Sequence, residues 1–165
     1  MSSYKRLLQI TAWLAVVAWM IVIFSMSHQK AEQSSELSTS TTQKIFEQLH
    51  PTFNELPEEE KQQLIEKTET AVRKTAHMSE YFILSALIII ALLFNNISHK
   101  KRALFAIALC CAYAVTDEIH QIFIDGRSCK VTDILIDAFG IILCAVIYLM
   151  IAYIIKKTKN RKLLR

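Results

Sequence analysis

At 165 residues the chain has the length of one domain. With 53% hydrophobic residues, a mean hydropathy of +0.30 and two glycines, it is too apolar for an ordinary soluble domain and lacks the turn residues of a β protein. Its net charge of +4 comes from Lys and Arg gathered in a few short segments, a pattern of membrane anchoring that does not imply nucleic-acid binding.

Four apolar runs are each long enough to cross about 30 Å of hydrocarbon as a helix, which takes roughly 20 residues. They cover 7–26, 78–94 with an extension back to 75, 103–124 and 131–155. The first holds Trp13 and Trp19 and no ionisable group, so packing and anchoring are its expected work. Residues 25–28 make a poor signal-cleavage site, which predicts an uncleaved signal anchor. A Ser/Thr/Gln/Glu-rich stretch over 30–42 reads as a polar linker, followed by a short amphipathic helix over 44–49 that Pro51 stops. Pro57 opens the next helix, with Glu58, Glu59 and Glu60 near its positive end. No breaker follows until Asn95, so this helix is expected to run unbroken into the second span.

Basic residues set the topology. Lys5 and Arg6 precede the first span, His99-Lys100-Lys101-Arg102 joins the second to the third, and Lys156, Lys157, Lys159, Arg161, Lys162 and Arg165 follow the fourth. All fall on one side of a four-span chain, and an excess of Lys and Arg marks the cytoplasmic side. Segment 27–74, with nine acidic residues against six basic, then lies outside. The expected fold is all-α: a four-span transmembrane helical bundle with a long, partly helical extracytoplasmic segment between spans 1 and 2. Residues 1–26 form the cytoplasmic N-terminus and first span, 27–74 the extracytoplasmic segment, 75–155 a three-span core and 156–165 a basic cytoplasmic tail. The location is the cell membrane, multi-pass, with the lipid bilayer as partner and both termini cytoplasmic.

The spans carry groups that hydrocarbon disfavours. Lys74, His77, Glu80 and Tyr81 form one stripe at the outer end of the second span, at helical spacing. Asp117, Glu118, His120 and Gln121 sit in the last third of the third run, with Asp117 roughly 10 Å below its end. A tight turn at 125–128 uses Gly126 and supplies Arg127. Asp133, Asp137 and Gly140 share a face of the fourth span, where a glycine lets another helix approach closely. Ionisable residues inside a span are costly and usually face protein or a wet cavity. Every one of these lands in the outer half, so Lys74, His77, Glu80, Tyr81, Asp117, Glu118, His120, Gln121, Arg127, Asp133 and Asp137 are expected to converge on one outward-facing pocket.

These residues carry a resemblance to a known family. Lys74-x-x-His77-x-x-Glu80-Tyr81, Asp117-Glu118-Ile119-His120-Gln121-x-Phe123, Gly126-Arg127 and Asp133-x-x-x-Asp137-x-x-Gly140 together resemble the VanZ-like family of small bacterial membrane proteins. The resemblance implies a cell-envelope role, a contribution to glycopeptide (teicoplanin) resistance, and a cell-wall precursor or glycopeptide as partner.

Three functions stay open at this level. In the first, a non-enzymatic envelope protein holds its ligand in the pocket, where Arg127 and nearby Lys residues meet a phosphate or carboxylate. In the second, an intramembrane enzyme acts on a lipid-linked or cell-wall precursor substrate, with His77, Asp117, Glu118 and His120 as catalytic candidates. In the third, the polar groups only specify helix packing. Metal is a weaker idea: His77, His120 and Asp117 are the candidate ligands, but without metal-type spacing on either span. The sequence names no cofactor.

Overall fold

The computed structural model describes residues 3–163. Five helices follow in order: α1 Ser3–Ser27, α2 Ala31–Leu49, α3 Glu58–Leu92, α4 His99–Gln121 and α5 Val131–Leu163, with a single 3-10 turn at Phe53–Glu55 before α3. Among the described residues there are no strands, and α1, α3, α4 and α5 are each long and apolar enough to cross a membrane.

Helix α3 is the organising element. Its 35 residues give it a length of about 52 Å, well beyond one bilayer. Pro57 caps it, and Glu58, Glu59 and Glu60 fill its first turn, where negative charge meets the helix dipole favourably. The first half pairs with α2; the second half packs against α1, α4 and α5. The core lies along that second half, where Tyr81, Leu84, Ser85 and Ile88 meet Ala106, Cys110 and Ala114 of α4 and Ile141 and Cys144 of α5. Small residues on the inner face of α4 permit this close approach. Gly140 goes further: a Cβ there would collide with the backbone carbonyl of Met78, so α3 and α5 meet backbone to side-chain-free backbone. The outward surfaces of α1 and α5 are apolar, with Leu14, Val17, Ile21, Ile151 and Ile154 exposed, as expected of surfaces that face lipid.

Both ends of the bundle are tied by hydrogen bonds. At the basic end, Arg102 donates through Nε to the Leu92 carbonyl at 3.0 Å and through Nη2 to the Asn95 carbonyl at 2.9 Å. Each of these carbonyls also accepts a backbone N–H, Leu92 from Asn95 at 3.1 Å and Asn95 from Ile97 at 2.9 Å, so Arg102 adds a charged donor to the turn that ends α3. Gln9 joins in from α1 through a 2.6 Å bond to Asn95 Oδ1. At the opposite end the α4–α5 turn docks on the α1–α2 junction: the Ala31 N–H donates to the Asp125 carbonyl at 3.3 Å, and Lys30 pairs with Asp125 at 3.0 Å. Gly126 has φ +75°, a conformation that favours glycine, and a Cβ on it would stand 3.0 Å from that of Ala31.

Two expectations need correction. The stretch over 30–42 is not a linker; it is most of α2, and the short helix expected over 44–49 is its last turns. The Ser and Thr hydroxyls that suggest a loop bond back along the helix instead, Thr42 to the Ser38 carbonyl at 2.7 Å and Thr41 to that of Leu37 at 2.7 Å. Their small side chains then let α2 lie on α3, with Ser38 and Thr42 buried and Thr39 donating to Glu69 at 2.6 Å. The third apolar run does not continue as helix to residue 124. Helix α4 ends at Gln121, and residues 122–126 turn back through 3-10-type bonds such as Phe123 N–H to the His120 carbonyl at 3.0 Å. Asp117 is therefore about 6 Å from the helix end, closer than the apolar run suggests.

Candidate functional site

At the end opposite the basic one the α4–α5 turn and the start of α2 meet the middle of α3, and a cavity of about 220 Å³ opens among them. Helix α3 contributes Arg73, Lys74 and His77 at one-turn spacing, the α4–α5 turn Arg127 and Lys130, and the first turn of α5 Asp133. Gln121, the last residue of α4, reaches its edge, and Ala31 and Ser34 of α2 close the far wall. The Arg127 guanidinium is half-buried and held by a 2.8 Å bond from Nε to the Gln29 carbonyl. Burial lowers its pKa, and the charges of Asp117, Glu118 and Glu80 oppose that shift, so Arg127 stays a cation set against the acids behind it.

Behind the cavity lies a polar layer within the bundle. Tyr81, Asp117, Glu118 and Asp137 are all buried, and Glu80 is mostly so. His77 Nδ1 lies 3.7 Å from Glu80 Oε2, near but beyond hydrogen-bond distance. Gln121 Nε2 donates to Ser27 Oγ at 2.9 Å and, at 3.3 Å, to Asp117 Oδ2, linking α4 to the end of α1. Glu118 Oε2 accepts the Lys130 N–H at 2.9 Å, so this carboxylate fastens the start of α5 to α4. Among the described residues, three buried side-chain atoms have no partner: Tyr81 Oη, Asp117 Oδ1 and Asp137 Oδ1. They come from three neighbouring helices, Tyr81 from α3, Asp117 from α4 and Asp137 from α5. Buried polar atoms without partners are rare, and each one calls for a reason.

The nominated residues thus divide. Lys74, His77, Gln121, Arg127 and Asp133 line the cavity; Glu80, Tyr81, Asp117 and Asp137 form the layer behind it; Glu118 braces the α4–α5 turn. His120 points elsewhere. Although it is one helical turn from Asp117, its ring stacks on His28 with centroids 5.4 Å apart and lies 4.5 Å from the Phe24 ring, with its Nε2 3.2 Å from His28 Nδ1. Among the described residues no carboxylate hydrogen-bonds His77 or His120, Glu80 at 3.7 Å from His77 being only an ion-pair contact. The metal candidates also separate, and among the described residues no three His, Cys, Asp or Glu side chains converge as a metal site.

Sequence reasoning missed several members. Arg73 was legible, because it stands four residues before His77 and so on the same helical face. Lys130, three residues before Asp133, was visible too. Thr70, four residues before Lys74 and seven before His77 on α3, was legible by the same spacing; Ser34 comes from α2, which only its docking on α3 brings near, and no local pattern marks it.

With that geometry established, the family model described as VanZ/LLP1 matches residues 12–153, a range that spans all four apolar helices in whole or in large part. No curated protein and no solved structure matches the chain.

Proposed function

The chain belongs to the VanZ/LLP1 family, and from that premise we propose that it is a non-enzymatic protein of the cell envelope that takes an anionic envelope component into an outward-facing pocket and thereby lowers susceptibility to teicoplanin. In this reading the end bearing Lys5, Arg6, residues 99–102 and the basic tail is cytoplasmic, and the cavity end faces outward. A cell-wall precursor or the glycopeptide itself is the partner.

The observation that supports it is the separation of the two ends: the cavity and its carboxylate layer lie at the end opposite the Lys/Arg-rich segments. Four buried or mostly buried carboxyl groups, Glu80, Asp117, Glu118 and Asp137, exceed what packing alone rewards, since interhelical polar contacts contribute about 0.6 kcal/mol each on average. The enzymatic alternative is less favoured, because His120 is paired with His28 and His77 has only a 3.7 Å contact with Glu80, longer than the hydrogen bond that orients a general base.

The test is the teicoplanin and vancomycin susceptibility of a sensitive Gram-positive host expressing wild type or Glu118→Gln at matched membrane levels. Glutamine keeps an oxygen for the Lys130 N–H while removing the charge and putting an NH2 in place of the second oxygen. Protection by wild type that Glu118→Gln lacks is the expected result. No difference between wild type and empty vector would end the resistance reading.

A further inference from the structure

Cations outnumber acids on the cavity wall by four to one: Arg73, Lys74, Arg127 and Lys130 against Asp133. They are largely uncommitted. Among the described residues the Lys74 and Lys130 side chains have no ion pair, and Arg73 has only a 3.9 Å contact with Glu69. With its Nε fixed on Gln29, Arg127 has no bond from either terminal nitrogen among the described residues, and these form the fork that meets two oxygens of an anion at once. Hydroxyls of Ser34, Thr70 and Ser128 line the same space. Two oxygens of a carboxylate are too few for this many donors, whereas a phosphate ester offers three terminal oxygens and up to two charges.

A second feature identifies what carries the phosphate. Sharing Lys74 and Ile136 with the cavity, an apolar groove of about 280 Å³ runs between α3 and α5, lined also by Met78, Leu135 and Phe139. Leu135 and Phe139 are exposed on what is otherwise a lipid-facing surface. A polar recess at the helix ends thus continues into a shallow, open apolar groove one turn deeper, which suits a headgroup with its chain lying along the surface.

We propose that this site binds a lipid by its phosphate, with the phosphate among Arg73, Lys74, Arg127 and Lys130 and the first part of the hydrocarbon chain along the α3–α5 groove. The proposal rests on the pocket being the functional site and names its ligand class. The Gln29 carbonyl positions the Arg127 guanidinium, and the carboxylates behind it temper the positive charge, which suits a ligand that exchanges.

The test is equilibrium binding to the full chain in neutral detergent, with soluble short-chain phosphatidic acid as the lipid probe, inorganic diphosphate as the free anion and short-chain phosphatidylcholine as the comparator. Phosphatidic acid is expected to bind best. Arg127→Gln and Lys130→Gln should each weaken it by about tenfold, the worth of one charge-assisted bond. Phe139→Ala should weaken phosphatidic acid and leave diphosphate unchanged, while Lys44→Gln, on exposed α2 surface, changes neither. Helical circular dichroism shows that each variant is folded. Absence of phosphatidic acid binding, equal loss in Lys44→Gln, or diphosphate binding as tight as lipid with Phe139→Ala inert would each overturn the proposal. Lipid binding without teicoplanin protection would sink the resistance reading and keep this one; protection without lipid binding would do the reverse.

Discussion

Both ends of the bundle are polar, and they are polar in different ways. At the basic end each buried or half-buried group meets a partner: Arg102 closes the Leu92 and Asn95 carbonyls, Gln9 meets Asn95, and His99 meets the Tyr148 hydroxyl at 2.7 Å. Cavity-end chemistry is less settled, with Tyr81, Asp117 and Asp137 each burying an atom that has no partner while four cations face an open recess. The first arrangement is what stability and topology require. The second costs stability, because an unpaired buried polar group loses its hydration with nothing in return, and so it points to use.

Substitutions can sharpen or break that contrast. The largest effect belongs to neither end: Gly140→Leu drives a side chain into the Met78 carbonyl and should destabilise the bundle by about 3 kcal/mol or prevent its assembly. Denaturant titration in detergent micelles reads this, and wild-type stability would mean that α3 and α5 do not touch as described. Next, Arg102→Ala strips the end of α3 of two bonds to a charged donor and should cost about 2 kcal/mol in the same assay. At the cavity end Asp117→Asn is expected to change stability by less than about 1 kcal/mol, since the amide keeps an oxygen for Gln121, while abolishing function. A loss as large as that of Arg102→Ala would make the two ends alike and return the acids to a structural role. Smallest of all, Tyr81→Phe removes a hydroxyl that has no partner among the described residues and should be neutral or stabilising by about 0.5 kcal/mol.

Much of this was legible in the chain itself. Apolar run length gave the four spans, and the Pro57 opening of α3, the positive φ of Gly126 and the close approach at Gly140 follow from what those residue types permit. The misreadings share a cause. Ser and Thr over 34–42 have weak helical preference on their own, and α2 forms because burial against α3 outweighs that preference, a gain with no local mark. Likewise the turn after Gln121 is set by docking on Ala31, which hydrophobic length does not encode. For the site, helical spacing put Asp117 and His120 on one face, yet neighbouring helices divided it, His28 and Phe24 taking one residue and the buried layer the other.

Everything functional depends on the cavity end facing outward. In a background with Cys110, Cys111, Cys129 and Cys144 replaced, single cysteines at exposed positions read this directly: Ser40→Cys on α2 and Ser128→Cys in the α4–α5 turn, with Asn96→Cys at the basic end. An impermeant thiol reagent applied to intact cells is predicted to label Ser40→Cys and Ser128→Cys, and to reach Asn96→Cys only after the membrane is opened. Labelling of Asn96→Cys alone in intact cells would turn the cavity toward the cytoplasm and contradict the account.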